Sequence, residues 1–360
     1  MFFCHLKVEW LIVSSSISRT VQLILQIVII DKHMKRLFLA SSIFLVFAGW
    51  GLEQNLKSVN AQTSSVVIQT QKQATKTQAA KVPQLKVIST GTGNKEELRF
   101  TPKVGAKQTI TVTLNKDTLM SIGDFKMPRA KLPAYLITLD STVTKVDSNG
   151  DIFYDIAYSD VKIKGDAQTR PELIQVISKQ IGQLENFKGS AVIDNQGRTK
   201  KINYVIPETV DVNIKFLVEQ LSNSLQQLSS PLPKQAVGTG AKWQVSSNTS
   251  INGINLNQTT TYELVNVKNG IANLNVNLQQ QEKSTQVIDY PGLPLDGILT
   301  LQTFRSKAQG KATVDLNQVM PINSQLSLLA DSKYIGKNIN TLEETPLIST
   351  LKVDLAIQGK

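Results

Sequence analysis

This chain has little of the chemistry on which most enzymes rely. In 360 residues there is one cysteine, Cys4, and there are two histidines, His5 and His33. Beyond residue 33 no Cys–His pair, Ser–His–Asp triad or zinc site of Cys and His ligands can therefore be assembled. No disulfide can form, so the folded state must rest on a buried core. Aromatic residues make up 6% of the chain, and no run of four basic residues occurs. Nucleic-acid binding pairs basic patches with stacking aromatics, and this composition argues against it.

The apolar run Leu37–Ala48 follows Met34, Lys35 and Arg36. Together they read as a secretory signal peptide over 34–61, with Val59 and Ala61 as the small residues preceding a cut between Ala61 and Gln62. Bacterial lipoproteins are acylated on a cysteine at the first mature position. Gln62 stands there, so a lipid anchor of that kind is not expected. The alternative is an uncleaved membrane anchor, but residues 37–52 fall short of the roughly 20 that a spanning helix wants. Residues 1–33 read as an N-terminal extension translated from a start placed too early. The other reading makes Leu23–Ile30 one arm of a membrane hairpin. The exported chain, periplasmic or extracellular, would keep 299 residues with 33 basic against 25 acidic, a net charge of +8, which favours anionic surfaces.

Residues 62–97 read as a flexible Gln/Thr/Lys-rich linker, with Lys72, Lys76 and Lys81 and no acid before Gln84. Beyond it, Thr, Val and Ile alternate with polar residues, as in Thr109–Leu114, which predicts strands. Asn149-Gly150 and Asn269-Gly270 lie between alternating runs and predict hairpins through type I′ turns. These turns belong to a repeat. Gly105-Ala106-Lys107 is echoed by Gly240-Ala241-Lys242, and Gly189–Asp194 by Gly310–Asp315, in the same order as the two turns. The fold expected is α+β, mainly antiparallel β. A duplicated β-unit, either a sandwich or a half-barrel of curved sheets, spans 98–235 and 236–360. The loop 126–133 would hold the first half's extra residues.

Two amphipathic helices are expected in the first half. One starts at Pro171 and turns Leu173, Ile177, Ile181 and Leu184 to one side; the other spans about Val210–Leu228. Three motifs imitate catalytic or binding loops. Ser159–Lys162 has S-x-x-K spacing but lies on an alternating run, where residues three apart face opposite ways. Asp147–Asp151 lacks the Gly and Glu positions of a calcium loop, and Gly238–Lys242 lacks phosphate-loop spacing. No cofactor is implied and no enzyme is expected. The candidate ligand-binding residues are Trp243, which lies beyond the signal peptide without another Trp, Met127 in the first Pro-containing loop, and Tyr290, Leu293 and Leu295 in the second.

The blocks Leu98-Arg99-Phe100, Gly105-Ala106-Lys107 and Val237–Trp243 resemble an uncharacterised family of exported bacterial β-rich proteins over about 98–335. The first half departs from the pattern, since Gln108 follows Lys107 and no aromatic stands where Trp243 does in the second. The resemblance implies location and architecture, and no activity. Two functions remain open. One is a non-catalytic envelope protein binding a lipid or other apolar or amphipathic ligand. The other is a structural or interaction module associated with the cell wall or outer membrane, held to an anionic envelope surface by its Lys-rich linker and exposed sheet edges. The sequence does not fix the oligomeric state.

Overall fold

The computed structural model describes residues 83–165, 169, 171–185, 187–205, 231–251, 254–288 and 297–359. The first half contributes β3 (Lys107–Ile122), β4 (Phe125–Lys126), β5 (Ala130–Val146), β6 (Ile152–Lys164), β7 (Lys188–Ile193) and β8 (Thr199–Val205). The second contributes β10 (Lys242–Ile251), β11 (Ile254–Lys268), β12 (Ile271–Glu282), β13 (Gln286–Ile288), β14 (Gly297–Asp315), β15 (Asn323–Asn338) and β16 (Glu344–Gly359). With β1 (Gln84–Ser89) they form one antiparallel sheet in the order β1-β10-β11-β12-β14-β15-β16-β3-β5-β6-β7-β8, with β4 on β3 and β13 on β14. A separate pair joins β2 (Thr92–Glu96) to β9 (Val237–Thr239).

The repeated motifs take matching places. Gly-Ala-Lys leads into β3 in one half and β10 in the other, Asn-Gly joins β5 to β6 and β11 to β12, and each Gly…Asp block ends a strand at a turn. The last strand, β16, pairs with β15 on one side and β3 on the other, making one sheet of the two halves.

The sheet folds over so that its ends share a core. Trp243, Tyr262 and Leu274 from the second half join Tyr135, Ile137 and Ile156 from the first in one buried cluster. Backbone bonds staple that end: Phe100 N donates to Asn195 O at 2.8 Å, Thr101 N to Leu316 O at 2.7 Å and Leu232 N to Gln196 O at 2.8 Å. A second, smaller core gathers Leu256, Ile288, Leu301, Phe304, Tyr334 and Leu347 towards the other end. Outside, β14 presents Arg305, Lys307, Gln309 and Lys311, so that stretch of the sheet faces water.

Several expectations need correction. Residues 84–96 of the expected linker form strands. Leu85 and Val87 alternate, pack on the core and pair with β10, whose edge they cover. The 126–133 loop is shorter than expected, because β5 begins at Ala130 and Pro133 is buried within it. Pro133 and Ala134 lie where the register with β3 shifts, a bulge that accommodates a residue with no N–H to donate. Of the two expected helices, α1 (Pro171–Ile181) forms and continues into a 3₁₀ turn, Gly182–Leu184. It lies against β6 with Ile177, Ile181 and Leu184 buried. The expected helix at 210–228 lies outside the described residues, so among these α1 is the one α-helix.

The two Asn-Gly turns also differ. Asn269 and Gly270 both take positive φ, 53° and 75°, as a type I′ turn requires. At the other turn Gly150 alone does, at 82°. There Asp147 Oδ1 accepts the N–H groups of Asn149 and Asp151, each at 2.9 Å, and the turn is an Asx turn closed by glycine.

Candidate functional site: a polar seam inside the curved sheet

Side chains alternate along each strand, so a polar residue in the apolar parity is carried into the interior. This happens on neighbouring strands. Gln258 on β11, Gln280 on β12 and Ser306 on β14 stand directly across from one another and are all buried. Gln280 Nε2 donates to Gln258 Oε1 at 2.7 Å, and Ser306 Oγ donates to Gln280 Oε1 at 2.8 Å. These bonds meet the cost of burying the amides. Ser332 and Ser349, paired across β15 and β16, continue the polar positions towards β3. Burial pushes the nearby Tyr334 phenol above its ordinary range, with the Ser332 hydroxyl opposing.

On β3 the inward parity reads Ile110, Val112, Leu114, Lys116, Thr118. Lys116 is 5% exposed, opposite Leu132 on β5 and Val353 on β16, beside the Pro133 bulge. Removal from water disfavours the ammonium, and the Lys116 pKa falls from 10.5 to about 7. The hydroxyls of Thr118 and Ser349 are buried and find no hydrogen-bond partner among the described residues.

Between the two cores the inner face is less tightly covered. Val276, Leu326, Leu328, Val353 and Leu355 share the inward parity of fully buried neighbours yet are half-buried. With Gly310 of β14 standing between Val276 and Leu326, they form an apolar strip across β12, β14, β15 and β16 that reaches Lys116 through Val353. Such a strip beside a buried cation and spare hydroxyls can hold a molecule with an apolar body and an anionic head.

The residues singled out from sequence lie elsewhere. Trp243 is fully buried, stacked on Tyr262 at 5.6 Å, with Nε1 donating to the Pro231 carbonyl at 2.9 Å. Met127 is half-buried, and its N–H donates to Met120 O at 2.8 Å. Tyr290, Leu293, Leu295, Ala61 and Gln62 lie outside the described residues. Ser159–Lys162 lies on β6, where Lys162 pairs with Asp160 at 2.6 Å on the surface. The glycines resembling a phosphate loop serve a close crossing, since a Cβ at Gly238 would collide with the Thr92 carbonyl of β2. Among the described residues no three His, Cys, Asp or Glu side chains are grouped to hold a metal.

A family model described as "Family of unknown function (DUF6263)" matches residues 211–321, in keeping with the resemblance to an uncharacterised family. No curated protein matches the chain. Among solved structures, a loop-deletion mutant of OmpT, an outer membrane protein of Vibrio cholerae, is 7% identical, covering 71% of this chain and all of its own, at a TM-score of 0.17. A mutant Rh. blastica porin is 10% identical, covering 68% of this chain and 99% of its own, also at 0.17. TM-scores this low mark no common fold.

Proposed function

We propose that this is a non-catalytic, exported cell-envelope protein that binds an amphipathic ligand with an anionic head. One observation supports the reading above the rest: the half-buried strip on the inner face reaches a buried lysine. Apolar surface on strip and ligand leaves water together, which is the driving force. The head meets Lys116, whose charge burial makes costly and an adjacent anion would stabilise. Binding therefore takes up a proton and weakens as pH rises above about 7.

Palmitate, with palmityl alcohol as its uncharged counterpart, tests the reading by titration calorimetry on the purified protein. Palmitate is expected to bind, the alcohol more weakly, and Lys116→Met to lose about tenfold or more in palmitate affinity, some 1.4 kcal/mol. Failure of palmitate to bind, or equal affinity in the Lys116→Met protein, would overturn it.

A further inference from the structure

On the outer side of the same strands, the β11–β12–β14 surface changes character along its length. Near the shared core its polar side chains satisfy one another. Asn273 Nδ2 donates to Asn266 Oδ1 at 2.8 Å, Thr313 Oγ1 to Asn273 Oδ1 at 2.8 Å, and Asn275 Nδ2 to Glu263 Oε2 at 3.4 Å. Towards the other end the pairing stops. Asn257, Gln281 and Arg305 stand in one row across the three strands, and Thr259, Gln279 and Lys307 in the next. Among the described residues none of these six side chains bonds to the rest of the protein. They line a shallow open depression of about 190 Å³ whose lining includes no carboxylate. On β15 at its margin Leu329, 51% exposed, stands across from Lys307, and Asp331, which accepts from Thr350 Oγ1 at 2.7 Å, stands across from Arg305.

We propose that this depression binds an anionic polysaccharide. The unpartnered amides and the Thr259 hydroxyl offer donors and acceptors in alternation, as a hydroxyl-rich chain requires. Arg305 and Lys307 supply positive charge for its acid groups, Arg305 with a fork that suits a carboxylate. Leu329 offers an apolar edge for the C–H face of a sugar ring. Adjacent strands lie about 4.8 Å apart, close to the length of one pyranose unit. A polysaccharide crossing the strands thus meets the same pair of rows at successive sugars. A lone small anion would use the two cations and leave the four uncharged side chains idle. Lys116 faces the opposite side of the sheet, so this site stands or falls separately from the amphipathic-ligand reading.

The test uses sodium alginate, a polyuronate, with neutral dextran as control, in affinity electrophoresis and calorimetry on the purified protein. Alginate should retard migration and dextran should not. Arg305→Gln with Lys307→Gln should weaken alginate binding about tenfold or more. Asn257→Ala with Gln281→Ala, which leaves the charge unchanged, should weaken it about threefold or more. A protein of matched charge, Lys201→Gln with Lys268→Gln, alters exposed residues outside the depression and should bind nearly as well as the parent. Absence of alginate binding overturns the proposal. So does an equal loss in the two Lys/Arg double variants, which would mean general charge attraction, or no loss in the amide double variant.

Discussion

At the scale of single residues, Lys116 carries the largest electrostatic cost in the described protein for which a cause can be named. In the unfolded chain it titrates near 10.5, and in the folded chain burial lowers this to about 7. Between those values the unfolded state holds a proton that the folded state lacks, so stability rises with pH through that window. Below pH 7 the full cost is present, on the order of 5 kcal/mol at 1.36 kcal/mol per pKa unit. Lys116→Met keeps most of the side-chain volume and removes the charge. It should raise the urea midpoint most near pH 6–7, and the advantage should shrink steadily as pH approaches 10. Parallel pH profiles for the two proteins would contradict this. A residue retained at such a cost is the kind expected at a functional site. It was visible in the sequence too, since Lys116 occupies the inward parity set by Ile110, Val112 and Leu114. Gln280 likewise follows Ala272, Leu274, Val276 and Leu278. Trp243 drew attention by its rarity, whereas the informative signal was a polar residue out of pattern.

At the scale of elements, identical dipeptides fold differently. Asn269 is held at positive φ, where a β-branched side chain costs roughly 1–2 kcal/mol. Asn149 is not, because Asp147 and Gly150 make its turn. Asn269→Val should therefore lower stability by about 1–2 kcal/mol by urea denaturation, and Asn149→Val by much less. Equal losses would show that the turns are alike. Hairpin positions, strand alternation and the start of α1 were legible because each depends on neighbours in the chain. The bulges were not. Inward residues are three apart at Leu132/Tyr135, Tyr158/Val161 and Leu301/Phe304, which in sequence looks like broken alternation. Each break coincides with a register shift that absorbs one residue and keeps the apolar face inward. Strand β1 is not legible in the sequence for a related reason. Its two apolar positions, Leu85 and Val87, gain their meaning from the open edge of β10, far away in sequence.

At the scale of the whole molecule, the duplication expected from the repeated sequence motifs raises the question of whether its halves fold as separate units. The topology argues that they do not. A chain of two independent β-units would place a separate core in each half. Here the larger core mixes Trp243, Tyr262 and Leu274 with Tyr135, Ile137 and Ile156, and the backbone bond from Thr101 N to Leu316 O reaches from one half to the other. The two halves also share a ladder, because β16 pairs with β3 over thirteen registered positions from Leu347–Ile122 to Gly359–Ile110. Loss of β16 would expose the edges of β15 and β3 at once, and unpaired edges invite aggregation. In a chain carrying Trp10→Phe and Trp50→Phe, fluorescence reports Trp243 alone. Its urea transition should coincide with that of the whole sheet followed by far-ultraviolet circular dichroism, in one cooperative step. Removing residues 344–360 should abolish the buried Trp243 signal even though Trp243 lies on β10, five strand pairings from β16 in the sheet order. Two separated transitions in the parent, or a truncated protein that keeps the native Trp243 spectrum, would mean that the halves stand alone and the shared core contributes little.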